Sequence, residues 1–206
     1  MERSTWKAKL GSLMLGLLLM AGSGLSSPSE ATTLKRMSVE KLAATNTSVT
    51  IGTVVESRSY WNEGGTFILT DVVIEPDAVL KGQAVRGSRM VLTLMGGQVD
   101  DLATVIVGGA SFELGKSYVI FSSVSDLPGA PSVSTVRDHS QGVFELIQSA
   151  DGHLRAVSQA SDQHLIADDR GQKSAPGGER GMDFDGLLRS IERGVSTDKN
   201  GQGVSQ

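Results

Sequence analysis

The sequence predicts a mainly β protein: a small closed barrel of OB type, with a short N-terminal helix and a C-terminal helix after a disordered linker. Three observations predict it. Apolar residues fall at mostly alternate positions in Val49–Val55 and recur in Thr66–Ile74, Met90–Leu94 and Lys116–Ser122, which is the pattern of strands with buried faces. Glycine pairs at Gly64-Gly65, Gly96-Gly97 and Gly108-Gly109 punctuate these runs, where turns need a positive φ. Gly52 interrupts the first run as a bulge would, and a long Gly-rich crossing from Gln98 to Phe112 follows the third. Together these favour a closed barrel over a sandwich.

Each element follows from local chemistry. Ser38 can cap a short helix, with Met37 and Leu42 placed as a hydrophobic staple, and that helix ends near Thr45-Asn46. The first strand covers Ser48 to Ser59. Tyr60-Trp-Asn-Glu-Gly-Gly65 reads as a hairpin loop, and the second strand, Thr66 to Ile74, returns along the first with apolar residues on both faces. Pro76 cannot donate to a ladder, so pairing should break there or lie on an edge. Val79-Leu80 ends at Lys81-Gly82. Met90–Leu94 is the third strand, Ala103–Val107 a possible short one, and Leu127-Pro-Gly-Ala-Pro131 an exposed loop. Val143–Ile147 and Leu154–Val157 pair through a turn at Ala150-Asp-Gly152. The glycines assigned to turns or bulges are Gly52, Gly82, Gly97, Gly109 and Gly115.

The predicted organisation has five parts. Residues 1–31 are a signal peptide cut within 21–31, and 34–158 are the barrel domain. Residues 159–181 form a linker too polar to order itself. Residues 182–194 are a helix with Asp183 as cap and Gly194 as stop, and 195–206 are a disordered tail. The signal rests on Arg3, Lys7 and Lys9 ahead of the apolar run Leu10–Met20 and the small residues Ala21–Gly24; the run is too short to cross a bilayer. An uncleaved anchor is the alternative.

Composition excludes several function classes. The chain has no cysteine, which removes thiolate zinc sites, iron–sulfur clusters, redox pairs and lipidation at a cysteine. Formal charge is −4, and a cut after Ala31 removes a net +1 and leaves −5, so no electrostatic case exists for nucleic acid or anionic lipid. Contact with a membrane is expected only through the signal during export, and the location is periplasmic or extracellular.

The candidate chemistry is sparse. His139, His153 and His164 show no ligand spacing. Asp100-Asp101 and Asp168-Asp169 are sequence neighbours, which do not face one another on a strand, so they read as solvated loop acids. Asp71 interrupts an apolar strand, either facing outward or organising the barrel through hydrogen bonds. No phosphate loop and no Gly-x-Ser-x-Gly elbow is present. The candidate contact surface is the Tyr60–Gly65 hairpin together with the Gly96–Gly109 crossing; Tyr60, Trp61 and Asn62 are its candidate partner contacts, with one aromatic covering the barrel end and the other meeting solvent.

Val49-Thr-Ile-Gly-Thr-Val-Val55, Val79-Leu-Lys-Gly82 and Phe112-Glu-Leu-Gly-Lys-Ser-Tyr-Val-Ile-Phe121 occur in that order. In this the chain resembles a group of uncharacterised exported bacterial proteins and, more remotely, the netrin-like domain of tissue inhibitors of metalloproteinases. The matching positions are Gly52, Lys81, Gly82, Gly115, Lys116 and Tyr118, over about residues 38 to 147. The resemblance implies an OB-type barrel that binds proteins. The inhibitors' N-terminal cysteine and disulfides are absent, so their mechanism does not carry over. The expectation is an exported, non-catalytic binding module, with no cofactor and an unidentified protein partner. Two alternatives stand beside it: a hydrolase or metal-dependent enzyme with a convergent site, and a structural envelope component.

Overall fold

The computed structural model of the chain describes residues 35–160 and 181–202. The expected signal peptide, His164, Asp168-Asp169 and most of the expected linker lie outside them. The described residues build a mainly β fold with two helices. Two long strands, β1 (Ser48–Trp61) and β2 (Ile68–Lys81), form its spine. The order across the main sheet is β10-β9-β8-β6-β1-β2-β3, every pairing antiparallel. Here β3 is Met90–Met95, β6 Ser117–Leu127, β8 Val143–Gln148, β9 Leu154–Ser158 and β10 Met182–Asp183. A separate small hairpin joins β4 (Gly97–Val99) to β5 (Leu102–Thr104).

β6 forks the sheet. Its first half, Ser117–Ser122, pairs with β1, and its second half carries β7 (Ala130–Thr135), so that the loop predicted over Leu127–Pro131 narrows to a turn at Pro128-Gly129. Alternate side chains of β6 enter different cores. Val119 and Phe121 join Val49, Phe144 and the helices, whereas Tyr118 and Ile120 join Val54, Val72, Ile74 and Leu92 inside the curl. Both faces are therefore dry along Tyr118–Phe121, as a continuous apolar run requires.

The predicted closed barrel is corrected by this topology: the sheet is open. Among the described residues β3 pairs only with β2, and β7 only with β6. β3 and β7 approach one another without a ladder. The physical reason lies at the end of β3, where Gly96 and Gly97 adopt φ of 91° and 130° and lead the chain away into β4. Gly97 has to be glycine, since a Cβ there would collide with the hydroxyls of Thr70 and Ser59. An unzipped seam remains between β3 and β7.

The long β1–β2 pair twists through register shifts at Val49/Thr50, Ile51/Gly52 and Val54/Glu56. Gly52 lies opposite Pro76, and a Cβ on it would stand 2.6 Å from the Glu75 carbonyl oxygen. The strand runs on through Pro76 rather than stopping there. β3 begins opposite Ile74, so β2 is an edge from Glu75 onward. The Pro76 carbonyl accepts from Gly87 N–H at 3.2 Å on that edge. In an extended strand the nitrogen of the same residue faces the same way, so no bond to β1 is lost.

Helix α1 (Val39–Thr45) starts at Ser38, whose Oγ accepts from Lys41 N–H at 3.2 Å. Helix α2 (Phe184–Gln202) starts at Asp183, whose carboxylate accepts from Gly186 N–H at 3.0 Å. The predicted stop at Gly194 is a second correction, because the helix continues to Gln202 and takes in much of the predicted tail. Gly194 instead marks a helix crossing: a Cβ would strike the Glu40 carbonyl and lie 2.7 Å from Ala43 Cβ. Beyond it, Ser196 and Thr197 hydroxyls bond back to Glu192 and Arg193 carbonyls at 2.8 and 2.9 Å. Leu187 and Ile191 seal the helix onto the sheet, each worth about 1.5–3 kcal/mol by burial. Lys81 locks the corner, donating to the Ala43 and Ala44 carbonyls and pairing with Asp198 at 3.0 Å.

Candidate functional site

The β1–β2 hairpin is organised by Asn62. Its Oδ1 accepts from the backbone N–H groups of Thr66 (2.9 Å) and Phe67 (3.1 Å), which closes the turn as an Asx motif. Its Nδ2 donates to the Pro128 carbonyl at 3.2 Å, in the turn between β6 and β7. Gly129 packs so closely that a Cβ there would lie 2.9 Å from Asn62 Cβ. One side chain thus ties two hairpin ends together, and at 7% exposure it has no polar atom left for a partner.

Tyr60 and Trp61, as strand neighbours, leave the sheet on opposite sides. The Tyr60 hydroxyl donates to Asp71 Oδ1 at 3.1 Å, and Thr93 Oγ1 donates to the same oxygen at 2.7 Å. Asp71 is half-buried, so it bridges β1, β2 and β3 as a hydrogen-bonded organiser. Burial first, and then the Asp71 carboxylate, push the Tyr60 phenol above its ordinary pKa. Trp61 is 40% exposed. Of the three predicted contact residues, Trp61 is the most exposed, Tyr60 is half-buried and Asn62 is buried.

The crossing between β3 and β6, expected as the second part of the contact surface, carries exposed apolar residues that the sequence does not single out. Leu102, Val105 and Val107 are 62%, 82% and 90% exposed. Ile106, between the two valines, turns inward, where it packs against Gly96 and Gly109. The anchored Ile106 holds both valines outward instead of letting them collapse. The apolar run Val105-Ile-Val107 between turn signals was the available clue.

Ile106 also lines a cleft of about 220 Å³ in the seam, with Leu94, Met95, Ala110, Leu127 and Val136 around it and Arg137 and His139 at its rim. A second hollow of about 170 Å³ lies inside the curl, between Ser57, Thr70, Gly97 and Phe112. His139 opens a one-turn 3-10 helix (His139–Gly142) at φ 53°, and His153 lies in the β8–β9 turn. Of the remaining predicted turn glycines, Gly82 and Gly115 take positive φ, and Gly109 closes a turn onto the Ile106 carbonyl at 2.9 Å.

Among the described residues no group of three or more His, Asp or Glu side chains is placed to hold a metal, and no helix is long and apolar enough to cross a membrane. Lys116 pairs with Glu113 (2.8 Å) and Glu145 (3.0 Å) and titrates above its ordinary range because of them. Tyr118 is raised chiefly by burial, and its oxygen accepts from Glu113 N–H at 3.0 Å. These groups are engaged with one another. No family model matches the chain, and no curated protein or solved structure matches it.

Proposed function

We propose that this protein is an exported, non-catalytic module that binds a protein partner through the β4–β5 crossing, with the Trp61 edge of the β1–β2 hairpin alongside it. The observation that carries the reading is the outward-held apolar run of Leu102, Val105 and Val107, with the two valines more than four-fifths exposed. Three large apolar side chains held this exposed within six positions fit a contact surface better than an inert one. Trp61 adds a rigid aromatic anchor of the kind that dominates binding energy. Asn62, the Asp71 array and the paired helices act as a stiff mount, so little ordering entropy is lost on docking. The tripartite N-terminus supports export.

The test is site-specific photocrosslinking in the exporting cell, with the photoreactive residue at Val107, at Trp61 or, as a control on α2, at Arg189. The reading expects one adduct of constant mass at Val107 and Trp61 and none at Arg189. That adduct should vanish in a folded Val105→Asp, Val107→Asp double variant. Equal labelling at all three positions would overturn it. An adduct at twice the chain's own mass would assign the surface to self-association, the envelope-component alternative.

A further inference from the structure

The seam cleft has a chemistry of its own. Its apolar lining is Leu94, Ile106, Ala110, Leu127 and Val136, from β3, the crossing, the end of β6 and the residue after β7, and Ser125 and Thr135 line it as well. Among the described residues the ionisable side chains along it are Arg137 and His139, and no carboxylate lines it. The nearest acids in sequence are engaged elsewhere. Asp138 accepts from Asn46 Nδ2 at 2.8 Å, and Asp126 accepts from Ser132 N–H at 2.8 Å. Arg137 has no ion pair among the described residues, whereas Arg193 has Glu40 and Arg189 approaches Asp183. An exposed guanidinium lining this cleft, with no ion pair among the described residues, is a positively charged group available to a ligand on a chain of net negative charge. His139 is held at the same rim in left-handed backbone, a conformation uncommon for a residue with a side chain.

We propose that this cleft binds a small apolar carboxylate. The hydrocarbon body lies against Leu94, Ile106, Leu127 and Val136, and the head group meets the Arg137 guanidinium, with the His139 imidazole beside it. Size and charge select the class. An apolar cavity of about 150 Å³ holds benzene, so this cleft takes a body of about eight carbons and is too small for a long-chain lipid. The guanidinium fork matches the two oxygens of a carboxylate. One guanidinium balances one negative charge, whereas a phosphate dianion calls for more. Apolar walls with a few convergent polar groups are the usual make-up of small-ligand sites.

The test is an amide-resolved NMR titration of the protein with octanoate, 1-octanol and octylamine, which share one body and differ in head-group charge. The expected result is saturable shifts at Leu94, Ile106, Val136 and His139, with octanoate binding at least tenfold tighter than octylamine. In Arg137→Glu, an exposed change that leaves the spectrum otherwise native, that order should invert. Absence of saturation by several millimolar octanoate would overturn the proposal. So would equal affinity for the three head groups, or an unchanged preference in Arg137→Glu. A peptide ending in leucine that bound tenfold tighter than octanoate would also overturn it, in favour of a protein terminus. Failure here leaves the crosslinking result at Val107 untouched, because Val107 faces away from the cleft's occupant.

Discussion

Replacing Asn62 by alanine removes the acceptor for two backbone donors, Thr66 N–H and Phe67 N–H, and the donor to the Pro128 carbonyl. The site is 7% exposed, so water replaces these partners poorly. Each intramolecular bond is worth about 0.5–1.5 kcal/mol net, and groups left unmatched in a buried place cost about 1–3 kcal/mol. Three bonds at partly buried atoms therefore sum to about 3 kcal/mol. For a chain of this size that lowers Tm by about 6–12 °C. Asn62→Asp separates the two halves of the effect. It keeps the acceptor that closes the turn but sets a carboxylate against the Pro128 carbonyl, so it should lose less than alanine and loosen the β6–β7 turn selectively. Urea unfolding followed by Trp fluorescence and circular dichroism gives the total, and amide exchange at Ser132 and Val133 reports the second hairpin. A loss below about 0.5 kcal/mol for Asn62→Ala would refute the idea that this side chain clips the hairpins together.

The remaining predictions concern the mount. Gly194→Leu should destabilise by about 1–3 kcal/mol through overpacking against Glu40 and Ala43, despite leucine's higher helix propensity; a stabilised variant would remove the helix-crossing argument. Burial alone would raise the Glu40 pKa, but hydrogen bonds from Arg193 and Ser190 hold it below the ordinary glutamate value of 4.5. A depressed folded pKa contributes stability present above the unfolded value and lost as pH falls through the folded one. Glu40→Gln should therefore flatten the acid limb of the stability profile below about pH 4.5, by no more than about 1 kcal/mol given how exposed the pair is. Asp71→Asn should lower the Tyr60 phenol toward its ordinary value in an ultraviolet titration, leaving only the part due to burial. An unshifted Tyr60 would show that the Asp71 hydrogen bond is not formed in solution.

The β class was legible because its signals are local: alternating apolar residues, a bulge glycine and turn glycines act within a few positions. Closure was not, since it depends on whether β3 and β7 find each other across some forty residues of chain, and the Gly96-Gly97 corner prevents that. β7 escaped notice because Ser132-Val-Ser-Thr135 carries one large apolar side chain, too little for a period. Gly194 misled for a related reason: a glycine near a helix end reads as a stop unless the second helix it accommodates is known. At the candidate site, Trp61 and Asn62 look alike as hairpin residues, and only the nearness of Pro128 and Gly129 decides which is free. The Gly96–Gly109 crossing was legible as a contact region, but not which of its residues face out: the run Val105-Ile-Val107 between turn signals is a local clue, and only the inward anchoring of Ile106 shows that both valines are exposed.

The pairing of the two helices has a temporal side. Glu40 and Arg193 are 153 positions apart, so α1 cannot bury its Leu42–Ala43 face in the native way until nearly the whole polypeptide is present. Contacts of such sequence separation form late, because loop closure has to come first. A chain emerging from its N-terminus would therefore remain uncommitted to its final state until its last turns appear, an advantage for any protein that has to pass through a narrow channel before it folds.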